Sequence, residues 1–117
     1  MGDDERLTAK QFQESGGVED WRVLAFGASA WFDAPSHAAG AALVRRVAEL
    51  TGSAGRMPDV NLRARGVQMR ISAGGSAGLS VADAEVARAI SAAARHLDLP
   101  ADPSAQQDLQ LTFDALD

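Results

Sequence analysis

Few side chains in this 117-residue sequence could carry proton-transfer or metal chemistry. There is no cysteine, which excludes a disulfide, a thiolate nucleophile and a thiolate metal site. The two histidines, His37 and His96, are too few for a histidine-rich metal site within one chain. His37 could act as an acid or base, but its position in the first turn of a predicted helix favours a structural role. We therefore expect neither a metal nor a cofactor.

A second group of reactive side chains surrounds a proline bend at residues 56–59, which reads Arg-Met-Pro-Asp. Further arginines follow closely along the sequence. They form a local basic group, although the formal net charge of the chain is −5: Arg56, Arg63, Arg65 and Arg70. Such a group could bind an anion or a carboxylate. A solvated or subunit-facing surface is the commoner role of clustered charges, and Asp59 could simply pair with them.

Composition narrows the classes of partner and compartment. The acidic balance of charges disfavours binding to the phosphates of a nucleic acid. No apolar run approaches the roughly 20 residues of a membrane span. The charged start at residues 1–6 does not resemble a secretory signal. We expect a cytoplasmic protein without nucleic-acid or membrane partners.

Hydrophobic periodicity predicts two long helices that must position these side chains. Apolar residues recur at spacings of three and four, which predicts an amphipathic helix over residues 36–50 with one buried face: Ala39, Ala42, Leu43, Val47 and Leu50. Ser80 followed by Asp83 is a variant of the capping box and predicts a second helix that ends near residue 97. A short helix is predicted over residues 7–12, after a frayed start at residues 1–6.

Four short segments have the pattern of strands. Residues 21–26 and 30–33 are rich in aromatic and β-branched side chains, and would form a hairpin through a turn at residues 27–29. Residues 60–63 and 67–71 alternate between apolar and polar side chains. Together the elements predict an α+β fold with two layers: a four-stranded antiparallel sheet, two long helices on one of its faces and a short N-terminal helix.

The predicted strand at residues 67–71 gives the sheet two faces of different character. Val67, Met69 and Ile71 share an apolar face, while Gln68 and Arg70 lie on the other. Since antiparallel sheets often have one wet face, we expect the polar face to be solvated or to form a subunit interface.

The C-terminal part of the chain differs from the rest. Asp102-Pro103-Ser104 predicts a turn, and the alternation at residues 109–114 predicts an extra strand. We therefore divide the chain into a domain over residues 1–100 and an extension over residues 101–117.

The order of these elements and several short motifs resemble the pterin-4a-carbinolamine dehydratase (4a-hydroxytetrahydrobiopterin dehydratase) family. The resemblance covers roughly residues 7–99 and is carried by five features. Three come early in the chain: a tryptophan at Trp21, an aromatic second strand at residues 30–32 and an Arg-Val-Ala sequence at residues 46–48. The other two are a central strand at residues 67–71 and a Gly-Leu-Ser-x-x-Asp motif at residues 78–83. It implies the two-layer fold described above. It also implies a dimer or tetramer, because members of the family form such oligomers.

The same resemblance implies that the catalytic side chains of the family are missing. Its two adjacent histidines correspond to Arg56 and Met57, and its third histidine corresponds to Gly74. Pro58 and Asp83 persist, but both have structural roles, in a bend and at a helix start. Arginine stays protonated, methionine transfers no proton and glycine has no side chain. Acid–base catalysis by the family mechanism is therefore not expected.

The first of three hypotheses for function is a non-catalytic module for binding, assembly or oligomerisation. Its partner would be another protein or a small pterin-like ligand, and the residues expected to bind a ligand are Arg56, Pro58, Asp59 and Asp83. This hypothesis follows from a scaffold without its catalytic groups.

Two other hypotheses remain open. The chain could be an active dehydratase, a hydro-lyase in which Asp59, Glu49 or His37 replaces the lost imidazoles. Alternatively, the extension resembles the linker and first strand of a glyoxalase-like domain, which follows a dehydratase-like domain in some actinobacterial proteins. The chain would then be an accessory domain of a glyoxalase-like enzyme.

Overall fold

The computed structural model describes residues 6–24, 27–52, 57–72 and 78–104. Strands and helices follow one another in this order: β1 (Arg6–Leu7), α1 (Ala9–Glu14), β2 (Arg22–Leu24), β3 (Gly27–Asp33), α2 (His37–Thr51), β4 (Asp59–Arg63), β5 (Gly66–Ser72), β6 (Leu79–Ser80) and α3 (Val81–His96). In this part of the chain no helix combines the length and the apolar character needed to cross a membrane.

The main sheet has four antiparallel strands in the order β2-β3-β5-β4, which confirms the predicted α+β architecture. β4 and β5 form a tight hairpin, in which Arg63 pairs with Gly66 across the two residues Ala64 and Arg65. β1 and β6 form a separate two-stranded sheet, where Leu7 pairs with Leu79.

The core lies between one face of the main sheet and the long helices. Alternate residues of β3 and β5 supply the sheet side of this core, and the buried faces of α2 and α3 supply the other: Ala28, Ala30, Phe32, Val67, Met69, Ile71, Leu43, Val47, Ala87 and Ile90. Burial of one such large side chain stabilises the fold by about 1.5–3 kcal/mol. Gly40 brings α2 close to the sheet, because a Cβ there would lie 2.7 Å from Leu62 and 2.9 Å from Val67.

Capping side chains fix the starts of the helices, and the cap predicted at Ser80 is confirmed. Ser80 is the N-cap of α3, and its side chain and that of Asp83 form a reciprocal capping box. Ser36 caps α2 by accepting a hydrogen bond from the N–H of Ala39. Each cap satisfies N–H groups that have no partner inside the helix, which contributes about 1 kcal/mol. Thr8 plays this role for α1, so that helix begins after it and not at Leu7.

The predicted turn at residues 27–29 is wrong, because these residues begin β3. Leu24 already pairs with Gly27, and residues 25 and 26 between them lie outside the described part. Ala28 and Ser29 are completely buried, so tertiary packing overrides the turn-like character of the Gly-Ala-Ser sequence. The predicted frayed start is also wrong at Arg6, which pairs with Ser80 in the small sheet.

Two helical positions predicted to be buried are not. Ala42 is exposed, and Leu50 in the last turn of α2 has 40 % of its surface exposed to solvent. The apolar stripe of α2 is therefore narrower than its periodicity suggests. The buried residues of this helix are Gly40, Leu43, Val47 and Thr51.

The second face of the main sheet is polar as predicted, but its centre is not solvated. Gln68 is 1 % exposed and Ser29 is 0 % exposed, and the Gln68 amide nitrogen donates a weak hydrogen bond of 3.4 Å to the Ser29 hydroxyl. The indole of Trp31 lies over Gly66 on the neighbouring strand, where a side chain would collide with it. The indole N–H donates a hydrogen bond of 2.7 Å to the Asp33 carboxylate.

The chain returns to the sheet after α3. Ala101 forms an antiparallel bridge with Phe32. The N–H of Asp33 donates to the carbonyl of Pro100 at 2.8 Å, and the N–H of Asp102 donates to the carbonyl of Trp31 at 2.9 Å. This segment pairs with the part of β3 that extends beyond β2. The predicted strand at residues 109–114 lies outside the described residues.

Candidate binding pocket

A pocket of about 260 Å³ opens where β4 begins, β5 ends and α3 begins. Seven described residues line it: Met57, Pro58, Asp59, Arg70, Ile71, Ser72 and Asp83. Its volume is close to the lower end of the range for small-molecule sites. The pocket therefore suits a ligand smaller than a dinucleotide.

The strand register brings three polar side chains to one wall of the pocket. Asp59 lies directly opposite Arg70 on the neighbouring strand. The Ser72 hydroxyl donates a hydrogen bond of 3.4 Å to the Asp59 carboxylate. Opposite residues of antiparallel strands have their side chains within reach of each other, so this wall offers both signs of charge.

Asp83 also lines the pocket, and it is tied to the start of α3. Its carboxylate accepts a hydrogen bond of 2.8 Å from the N–H of Ser80, and its own N–H donates to the Ser80 hydroxyl at 3.2 Å. Only 9 % of the residue is exposed. Its position is therefore fixed by the helix cap before any ligand arrives.

Met57 provides an apolar, adaptable edge to the pocket. It is 41 % exposed, and its sulfur lies 3.5 Å from the hydroxyl of Thr51, which donates its proton to the carbonyl of Val47 at 2.8 Å. A thioether is polarisable and packs well against flat rings. With Pro58 and Ile71 it gives the pocket an apolar part next to the charged one.

The described lining contains the carboxylates of Asp59 and Asp83 and the guanidinium of Arg70, so its formal charge is −1. It contains no imidazole. Carboxylates and guanidinium groups bind polar ligands through charge-assisted hydrogen bonds. Imidazole is the side chain that ordinarily titrates near neutrality and serves in proton transfer there. Among the described residues no group of acidic or histidine side chains could hold a metal ion.

The structure brings together four of the residues that the sequence nominated: Met57, Pro58, Asp59 and Asp83. Arg56 and Gly74 lie outside the described residues. His37 and Glu49 belong to α2 and do not line the pocket. Glu49 instead forms exposed ion pairs with Arg45 and Arg46, at 3.8 and 3.4 Å.

Sequence reasoning named Arg70 only as a member of a basic group that could bind an anion, and it missed Ile71 and Ser72 as lining residues. The signal for Arg70 was present, because a two-residue turn at Ala64 and Arg65 pairs position 59 with position 70. The same register places Ile71 opposite Pro58 and Ser72 one residue further along β5, so Ser72 could also have been expected at the pocket. What the sequence did not show is that α3 begins close enough for Asp83 to close the pocket.

Comparison of the sequence with models of known protein families finds one match. Residues 5–93 match the family model described as pterin 4 alpha carbinolamine dehydratase. The search of curated proteins found no match. The matched region contains all seven described residues that line the pocket.

Proposed function

Because the chain belongs to the pterin 4 alpha carbinolamine dehydratase family, we propose that it is a non-catalytic member whose pocket binds a small polar ligand. The observation that supports this most strongly is Met57. It lines the pocket at a position where the family resemblance places a catalytic histidine. The scaffold and the pocket persist, while the proton-transferring side chain at this position does not.

The chemistry of dehydration explains why this substitution matters. Loss of water from a 4a-hydroxypterin needs one group to protonate the departing hydroxyl and another to accept the proton from N5. A thioether can do neither. Loss of each acid–base role costs a factor of about 10²–10⁴ in rate. The described lining offers Asp59 and Asp83 in place of imidazoles, and Asp83 is engaged in capping α3.

The composition of the pocket supports a flat, polar heterocycle as ligand, with a pterin-like molecule as the first choice. Met57 and Ile71 would contact the faces of a ring. Asp59 could accept paired hydrogen bonds from an amide N–H and an adjacent amino group, while Arg70 could donate to a carbonyl oxygen. Such a ligand would use the apolar and the charged parts of the pocket together.

Two measurements test the proposal. In a stopped-flow assay with 4a-hydroxytetrahydropterin, we expect dehydration no faster than the uncatalysed reaction. In titration calorimetry with tetrahydrobiopterin, we expect binding that weakens about tenfold in Asp59→Asn, the loss of roughly one charged hydrogen bond. Glu49→Gln removes a carboxylate outside the pocket and should bind like the parent. Turnover well above the background rate would contradict the proposal. Equal affinities of Asp59→Asn and Glu49→Gln for tetrahydrobiopterin would also contradict it.

The second candidate is a working dehydratase in which Asp59 substitutes for an imidazole. It is favoured by the position of this carboxylate in the pocket, 3.4 Å from the Ser72 hydroxyl. The same assay separates the two candidates. An active enzyme would turn over the substrate, and Asp59→Asn would remove that activity, while Glu49→Gln would keep it.

A further inference from the structure

The two methionines that the structure describes lie in opposite environments. Met69 belongs to β5 and is completely buried in the core, whereas Met57 lines the pocket and is 41 % exposed. The sequence contains no cysteine. Peroxides oxidise thiolates and thioethers, so in this chain they find no thiol. The sulfur of Met57 is open to such an oxidant, while that of Met69 is not.

A buried hydroxyl group lies beside the exposed sulfur. Thr51, the last residue of α2, is 3 % exposed, and its hydroxyl oxygen lies 3.5 Å from the sulfur of Met57. This hydroxyl donates to the carbonyl of Val47 at 2.8 Å. A thioether is a weak acceptor and does not compete for that proton. A methionine sulfoxide is polar, and its oxygen would compete for it.

We propose that Met57 is a site of reversible oxidation, and that its oxidation state sets the affinity of the pocket. The oxidant is a peroxide, with hydrogen peroxide as the simplest case. The sulfur attacks one peroxide oxygen, so that an S–O bond forms and the O–O bond breaks. Sulfur loses two electrons, and the departing hydroxide takes the proton of the transferred oxygen and leaves as water. A thiol-dependent methionine sulfoxide reductase reverses the step, in which two thiols become a disulfide and the oxygen leaves as water.

Oxidation would rearrange the hydrogen bonds at the end of α2. The methionine side chain rotates about three bonds, so an oxygen added from the solvent side can turn toward the Thr51 hydroxyl. The hydroxyl then donates to the sulfoxide in place of the Val47 carbonyl. That carbonyl lies within α2, where the backbone N–H four residues further along remains as its donor. The fold therefore accepts the oxidised side chain without leaving a buried polar group unpaired.

The pocket itself would change on its apolar side, which Met57 forms with Pro58 and Ile71. The sulfoxide oxygen turns part of this surface into a hydrogen-bond acceptor, in a lining whose formal charge is already −1. A flat ring would lose its contact with the thioether. We expect such a ligand to bind about tenfold more weakly. This step relies on the proposed function, since it takes a ring as the ligand.

Peptide mapping tests the selectivity of oxidation without any ligand. Trypsin, which cleaves after arginine, places the two methionines on separate peptides, residues 57–63 and 66–70. After limited treatment of the full chain with hydrogen peroxide, we expect Met57 to be converted at least about tenfold faster than Met69, because a buried thioether reacts only when the fold opens. In urea that unfolds the chain the two rates should become equal, which attributes the difference to the fold.

Titration calorimetry with tetrahydrobiopterin tests the effect on the pocket, after catalase has removed the remaining peroxide. The oxidised chain should bind about tenfold more weakly than the untreated chain, and methionine sulfoxide reductase should restore the affinity. Met57→Leu has an apolar side chain of similar volume and no sulfur, so the treated and untreated forms of this variant should bind equally. Met57→Gln carries a permanent acceptor and should bind like the oxidised parent.

Thr51→Val tests the role of the hydroxyl, which it removes while keeping a β-branched side chain. Oxidation should lower the midpoint temperature of unfolding of Thr51→Val further than that of the parent, because the sulfoxide has lost its donor. In Met57→Leu the same treatment should leave the midpoint unchanged. An equal shift in the parent and in Thr51→Val would overturn the part assigned to Thr51.

Three results would overturn the inference as a whole. These are equal conversion of Met57 and Met69 in the folded chain, an unchanged affinity after complete oxidation of Met57, or a loss of affinity that the reductase does not reverse. A parent chain that fails to bind tetrahydrobiopterin before oxidation contradicts the proposed function instead. Peptide mapping and the unfolding midpoints need no ligand, so they decide on the oxidation site in either case.

Discussion

The indole N–H of Trp21 donates a hydrogen bond of 3.0 Å to the hydroxyl of Ser91 in the middle of α3, and both residues are completely buried. Trp21 also packs edge-on against Phe32, with ring centroids 6.4 Å apart. One polar contact thus links the segment before β2 to the helix across the core. An indole N–H buried without a partner is costly, which makes Ser91 a specific requirement of this position.

Ser91→Ala should destabilise the fold by about 1–3 kcal/mol, because it leaves the Trp21 N–H buried and unpaired. Urea unfolding followed by tryptophan fluorescence measures the change. Ala92→Ser alters the neighbouring, exposed position of the same helix and should change stability by less than about 0.5 kcal/mol. Equal midpoints for the parent and Ser91→Ala would show that the hydrogen bond contributes nothing.

Gly66→Ala should destabilise the fold by about 1–3 kcal/mol through overpacking. The new Cβ would collide with the Trp31 ring and lie 2.6 Å from the carbonyl oxygen of Phe32, which cannot move without disturbing β3. Gly52→Ala is the matched control. Nothing lies within 4 Å of that position and its φ is −60°, so stability should stay equal or rise by about 0.4–1 kcal/mol. The midpoint temperatures of thermal unfolding of both variants, compared with that of the parent, test this prediction.

Gln13→Ala should open the β2 edge of the sheet. The carbonyl of Trp21 and the N–H of Val23 lose the partners that the side-chain amide supplies. We expect species larger than those of the parent in light scattering at equal concentration, because unpaired strand edges associate. Lys10→Ala changes an exposed residue of the same helix and should leave the size distribution unaltered. An unchanged distribution for Gln13→Ala would refute a protective role.

Restoring two histidines should not restore a dehydratase. In the double variant Arg56→His, Met57→His, the position that corresponds to the third histidine of the family would still be occupied by Gly74. Since acid–base groups act as a unit, we expect turnover at least about 10²-fold below that of a fully active family member. Family-like turnover in stopped flow would show that the remaining pocket is already competent.

Local rules sufficed for the starts of the long helices and for the two faces of β5. Ser36 and Ser80 mark helix starts through side-chain chemistry that involves only neighbouring residues. The alternation at residues 67–71 predicted which residues of β5 share a face, whereas the turn at Ala64 and Arg65 that sets the register with β4 was not predicted. The resemblance to a family then implied the two-layer α+β fold, while the order of the strands came from the structure.

Where sequence reasoning failed, the cause lies in contacts between distant segments. Residues 27–29 have turn-like side chains, but their burial between neighbouring strands favours extended backbone. Leu7 pairs with Leu79, a partner that no local pattern identifies. In the pocket, Asp83 could be nominated from the resemblance, whereas the contribution of Ser72 depends on how the strand end and the α3 start meet.

The pairing of Phe32 with Ala101 has a consequence for synthesis on the ribosome. β3 is among the early elements of the chain, yet the outer side of its second half gains a partner only when residues 100–102 have been made. An N-terminal portion that ends at residue 93, where the family match ends, lacks this partner. Since chains emerge N-terminus first, the carbonyl of Trp31 and the N–H of Asp33 depend on water or a chaperone until residues 100–102 have emerged.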